Sequence, residues 1–211
     1  MFLSKQEIET RFDEFIVEGG NRDFIREVSY DLCVGDEIYR SEEHLPEVLS
    51  LDKQPCVLIK PGQFALIKTH EKVKVPKEYV GFISIRSEYK FQGLVNVSGF
   101  HVDPTFTGHL IFAVQNVGPN DIRLRYREPA FMMLWSVLSK PYEPTPDSRK
   151  RTGYSNIPMN LMAQLGGSSI TISELKAEVD RLNAQVKFFV GIGIALLMAV
   201  IAVILRLIFQ K

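Results

Sequence analysis

Apolar residues reach most of this chain in short runs separated by turn signals, and its C-terminal end in one long run. Runs near 54 to 59, 63 to 69, 80 to 86, 94 to 97, 109 to 116, 122 to 127 and 130 to 137 read as strands. ProGly at 61 and 62, ProLys at 76 and 77, AspPro at 103 and 104 and ValGlyProAsnAsp at 117 to 121 punctuate them. The clearest alternation is Ile122, Arg123, Leu124, Arg125, Tyr126, Arg127, one apolar face and one basic face. Ahead of the strands, Ser4 and Glu7 form a capping box with Leu3 and Ile8 as its hydrophobic staple, which predicts a short helix over about residues 4 to 15. Many short strands with tight turns predict a mainly β fold, a sandwich or a distorted barrel of the jelly-roll kind.

Near the other end the period changes to helical. Ile172, Leu175, Val179, Leu182, Val186 and Phe189 recur at spacings of three and four, the a and d positions of a coiled coil over residues 171–187. From Phe188 onward FFVGIGIALLMAVIAVIL carries no charge before Arg206, and residues 188–209 span about 33 Å as a helix, the thickness of a bilayer core. Phe188 opens this span, and Arg206 near its end can snorkel to the headgroups. Gly191, Ala195 and Ala199 add a face of small residues. Lys187 at one end and Arg206 with Lys211 at the other leave the positive-inside rule undecided. With no N-terminal signal in view, the expected topology is a single-pass C-terminal anchor holding the main domain in the cytoplasm. Residues 159–170, with GlyGlySerSer at 166 to 169, are expected to be a flexible linker.

Composition narrows the function. The 211 residues balance 25 Lys and Arg against 25 Asp and Glu, and the short run Arg149, Lys150, Arg151 is the one basic cluster, so no nucleic-acid partner is expected. Cys33 and Cys56 sit in apolar strand-like runs without CxxC or Cys/His ligand spacing, which predicts neither a disulfide framework nor a protein metal site.

SYDLCVGDEIYR at 29 to 40, LIKPGQFALIKTHEKVKVPKEYVGFISIRSEYKFQGL from 58 to 94 and FHVDPTFTGHLIFAVQNVG from 100 to 118 occur in an order that resembles the dCTP deaminase branch of the dUTPase-like superfamily. The likeness covers residues 1–158. It implies a homotrimer with sites between subunits, binding a pyrimidine nucleotide whose phosphates bring Mg2+. It places substrate contacts at Arg86, Ser87, Ser98, Gly99 and Tyr154. Asp103 falls where dUTP-hydrolysing members activate water, and Asp31 where an aspartate holds the fold.

This chain also departs from the family pattern. Ala113 stands ten residues after Asp103, where deaminases carry the glutamate that shuttles a proton between water and departing ammonia. Glu88 and Phe91 replace a serine and an arginine of the phosphate motif, ArgGluProAla at 127 to 130 replaces a Pro-Gly turn, and ThrGlyTyrSerAsnIlePro at 152 to 158 lacks the lysine and glutamine of the lid. Arg149, Lys150 and Arg151 are candidates to replace them. Three functions are compatible with these residues: a membrane-anchored, non-deaminating nucleotide sensor or effector; an active diphosphatase or deaminase; and a trimeric scaffold without ligand.

Overall fold

The computed structural model describes residues 1–41, 43, 45–144, 152–165 and 172–209. Ser4 starts the first helix as its pattern predicts, its amide donating to Glu7 Oε2 at 3.3 Å while Leu3 and Ile8 are both buried. The helix breaks at Arg11 into α1 (Lys5–Thr10) and α2 (Phe12–Phe15), which leads into β1 (Ile16–Glu18). The other strands are β2 (Tyr30–Arg40), β3 (Glu47–Val48), β4 (Cys56–Ile59), β5 (Phe64–Lys74) and β6 (Tyr79–Ile85), followed after the helix α3 (Ser87–Gln92) by β7 (Leu94–Asn96), β8 (His101–Val102), β9 (Thr107–Asn116), β10 (Ile122–Arg125) and β11 (Pro129–Val137). Two helices close the chain, α4 (Met159–Leu165) and α5 (Ile172–Phe209).

Nine of the strands form one antiparallel sheet along the path β7-β9-β5-β2-β11-β6-β8, with β1 added to β5 and β3 to β2, while β10 pairs with β4 apart from it. The two ends of this path, β7 and β8, are joined by residues 97–100 alone, so the sheet curls until its ends meet. In β9 every second residue is buried, Gly108, Leu110, Phe112, Val114 and Asn116. Phe112 stacks on Phe131 with ring centroids 3.9 Å apart, and Phe15 stacks on Trp135 at 4.8 Å. β10 follows its predicted alternation, with Ile122 and Leu124 buried and Arg123 and Arg125 exposed, and ends before Arg127, which takes φ +61° in the following turn.

The chain divides into two compact units, Met1–Ser169 and Ile170–Lys211. Within the stretch expected to be a linker, Met159–Leu165 is helical, and Met162 is buried against Tyr39, Leu66 and Ile157. Residues 166–169 and Arg149, Lys150 and Arg151 lie outside the described residues. The second unit is the helix α5, unbroken from the heptad stretch through the apolar run, so Val186, Phe188 and Arg206 share one helix. Among the described residues it is the one helix long and apolar enough to cross a bilayer, over Glu178–Arg206.

Candidate functional site

The seam where β7 and β8 approach each other builds one side of a cavity of about 600 Å3 in the first unit. Its seam residues are Ser98, Gly99, His101 and Asp103, its floor is formed by Leu66, Ile111 and Ala113 of β5 and β9, and the far wall by Tyr154, Leu161 and Gln164. The seam is held from the floor: the amides of Val97 and Ser98 both donate to the Ala113 carbonyl, at 2.8 and 3.3 Å. Asn96 fixes the tip of the loop, its carbonyl accepting from Ser98 Oγ at 2.5 Å and its amide donating to the Gly99 carbonyl at 3.2 Å. A Cβ at Gly99 would meet nothing within 4 Å, so space rather than steric need characterises this position.

Asp103 sits in the β8–β9 turn, its carboxylate 3.5 Å from His101 Nε2 and half exposed toward the cavity. The turn ends in Thr105, at φ +68°, and Phe106, whose amide donates back to the Asp103 carbonyl at 3.3 Å. Thr105 is β-branched and left-handed, a strained combination that holds Asp103 on a fixed backbone. His109, also on the wall, shares its Nδ1 with the Thr69 carbonyl at 3.0 Å. His101, Asp103 and His109 are thus the imidazole and carboxylate side chains of the lining. Ala113 contributes no ionisable group to the floor.

Arg86 and Ser87 lie elsewhere on this chain. Arg86 precedes α3, and its guanidinium donates to Asp31 Oδ2 at 2.5 Å and lies 3.7 Å from Glu88. Arg26 Nε reaches the same Asp31 oxygen at 2.7 Å. Asp31, with its side chain 3% exposed, thus ties β2 to Arg86 at the start of α3 and to Arg26 ahead of β2. Glu88 and Asp31 together offset the two positive charges, which lowers the pull of Arg86 on an outside anion. Phe91, 90% exposed, points no cation at this region.

The pattern of the sequence did not single out Lys68, His101, His109, Leu161 or Gln164. A cation within the apolar run FALIKTHE was the available signal for Lys68. Its side chain is 8% exposed, and its ammonium donates to Asp36 Oδ1 and to the Ser155 carbonyl, both at 2.9 Å, with Glu37 at 3.6 Å. Burial pushes the Asp36 carboxyl up, and the hydrogen bond and charge of Lys68 outweigh that and hold it below the usual carboxylate range. In the core, burial pushes Glu71 up to about 7 although the Cys33 amide donates to it at 2.8 Å.

A family profile described as dCTP deaminase-like matches residues 2–130. The chain belongs to the dCTP deaminase-like family. Its relatives include the dCTP deaminase of Pyrococcus abyssi, 29% identical over 133 residues that make up 61% of this chain and 83% of that one. The dCTP deaminase of Pyrobaculum aerophilum is 39% identical over 132 residues, 56% of this chain and 71% of the relative. Among solved structures, the 2'-deoxycytidine 5'-triphosphate deaminase of Agrobacterium tumefaciens superposes with a TM-score of 0.52 at 14% identity, which shows a shared fold. The match covers 64% of this chain and 48% of that one, so the chain spans about half the length of that dCTP deaminase structure. The dCTP deaminase-like match ends before Pro158, α4 and α5, so the far wall of the cavity and the apolar helix lie beyond it.

Proposed function

We propose that this member of the dCTP deaminase-like family binds a pyrimidine nucleotide without deaminating it, and that it does so as a trimer tethered to a membrane by α5. The observation that carries the reading is Ala113 in the floor of a cavity whose rim holds Asp103 and Tyr154. A deamination needs a group that takes a proton from water and delivers it to ammonia, and losing a general acid-base group costs about 10² to 10⁴-fold in rate. Ser98, Gly99 and Tyr154 then hold sugar and base, and Arg86 with Ser87 contacts phosphates from a neighbouring subunit. The separation of Arg86 from the Asp103 cavity within one chain supports a site shared between subunits. No group of three or more His, Cys, Asp or Glu side chains placed to hold a metal ion exists among the described residues. Magnesium, which keeps several of its waters, would enter on the nucleotide's phosphates rather than in a protein cage. The exposed a and d residues of α5 support a helical trimer seam, and its 0% buried apolar window supports a single-pass anchor.

An active enzyme is the second reading, favoured by the relatives named above as dCTP deaminases and by Asp103 at the cavity rim. The test separates the two. With the purified full-length protein, dCTP and dUTP raise the melting temperature in both readings, as any ligand selective for the folded state does. Under the binding reading neither ammonia nor pyrophosphate appears, and Ala113→Glu alone restores no ammonia release because Glu88 and Phe91 still alter the phosphate motif. Pyrophosphate release that Asp103→Asn abolishes while binding persists establishes a diphosphatase instead. Ammonia release by the wild type establishes a deaminase. If neither nucleotide stabilises the protein nor any product forms, the ligand-free scaffold is what remains.

A further inference from the structure

Positive charge is scarce where a phosphate chain would have to lie. Among the described residues no Lys or Arg lines the cavity. Lys68, on the adjoining strand β5, has its ammonium between Asp36 at 2.9 Å and Glu37 at 3.6 Å. At the phosphate motif, Arg86 and Arg26 both bond one oxygen of Asp31, and Glu88 lies 3.7 Å from Arg86 Nη2, so two guanidinium groups face two carboxylates. Lys90, the one cation of α3, is drawn back to β6, its ammonium donating to Ser84 Oγ at 2.8 Å. Phe91 stands one helical turn after Ser87, so the two share a side of α3, and its ring is almost wholly in solvent. A polyphosphate extending along that side from Ser87 meets a phenyl ring and the Glu88 carboxylate. The cavity offers more to an uncharged body: Leu66, Ile111, Ala113 and Leu161 present apolar surface, and Tyr154 and Gln164 present hydrogen-bonding groups.

We propose that the site selects a pyrimidine nucleotide with a single phosphate over the triphosphate, and that Glu88 and Phe91 are the residues that set this choice. The inference rests on the nucleotide-binding reading above, and it separates this chain from relatives named for dCTP. Base and sugar are buried in the cavity, and one phosphate lies within the capacity of Arg86 and Ser87. Each further phosphoryl group adds negative charge beside Glu88, where the chain supplies a ring in place of a second guanidinium. The absent guanidinium forfeits a charge-assisted hydrogen bond, which sets the preference at about tenfold.

Calorimetric titration of the full-length protein in detergent tests this, with dCMP and dUMP as monophosphates and the α,β-imido analogues of dCTP and dUTP, with Mg2+, as triphosphates. For whichever base binds, the monophosphate is expected to bind about tenfold tighter than the triphosphate analogue, with an affinity that Mg2+ leaves unchanged. Glu88→Ser combined with Phe91→Arg should reverse the order, tightening the analogue by about tenfold or more and the monophosphate less. Both side chains are exposed, and each single substitution should move the ratio in the same direction, so the test stands even where the pair does not fold. Phe91→Leu, which adds no cation, should keep the wild-type order. Tighter binding of the analogue by the wild type overturns the preference and leaves the nucleotide reading intact. If replacing Arg149, Lys150 and Arg151 with Gln then weakens the analogue alone, that run holds the polyphosphate instead. A wild-type ratio in the double variant and in both single variants overturns the assignment to Glu88 and Phe91. Binding of none of the four ligands overturns both the preference and the nucleotide reading.

Discussion

Thr105 holds φ +68° although its β-branched side chain crowds the backbone in that region. Its amide donates to the Val75 carbonyl at 2.7 Å, so β5 and the turn hold it there. Glycine meets no such crowding, and Thr105→Gly is expected to stabilise the first unit by about 1 kcal/mol after its larger unfolded-state entropy is counted, read by urea denaturation. A second residue sets a pH dependence. Glu71 is fully buried, accepts the Cys33 amide, and lies 3.5 Å from the Tyr30 hydroxyl. Its folded pKa, about 7, exceeds the ordinary 4.5, so the folded state binds this proton more tightly. The stability it contributes is complete below the ordinary value and is lost as pH rises through about 7. Melting temperature should therefore fall from pH 5 to pH 8, and Glu71→Gln, whose amide oxygen can still accept from Cys33, should flatten that slope.

At the scale of elements, the Arg86–Asp31–Arg26 cluster decides whether α3 stays against β2. Arg86→Met leaves the Asp31 carboxylate with Arg26 alone, and a loss of about 2 kcal/mol is expected in denaturant midpoint measurements, below the 3 to 5 of a wholly orphaned buried charge. Arg26→Met, at the more exposed arginine, should cost less. Elements with a period were legible in the sequence. β10 alternates cleanly, and the capping box fixed the start of α1, though not the break at Arg11. Others carried no such signal. SEYKFQ is too short and too polar to show a helical stripe, and Phe91 in it faces solvent, so α3 left no mark. β2 is buried along nearly its whole length, which erases alternation and left only the strand-like run around Cys33. α4 hid behind the glycines that follow it, because Leu161 and Met162 make an apolar pair whose partners, Tyr39 and Leu66, lie more than ninety residues earlier. The cavity lining includes Asp103 and Tyr154, which resemblance singles out, whereas Lys68 left no mark because its bond to the Ser155 carbonyl joins residues 87 positions apart.

For the whole molecule, the division into two units predicts that residues 1–165 fold without α5. Light scattering on that fragment should give a trimer mass, and a monomer mass would remove the assembly proposed above. In the full-length chain, Val179→Lys with Leu182→Glu should weaken the trimer while the melting transition of the first unit stays in place, since Val179 and Leu182 are exposed on α5. The closure of the main sheet has a consequence under the membrane tethering proposed above. Tethered copies would be confined to two dimensions, where encounters between neighbouring sheets become frequent and an open strand edge is an invitation to add another chain's strand. Here the path ends in β7, three residues long, and β8, two residues long, and the curl brings these stubs together at the seam around Ser98. Such brief edges offer few unpaired amides and carbonyls to a neighbour. Crowded copies can thus meet through side chains, in a closed assembly, without their sheets joining end to end into fibres.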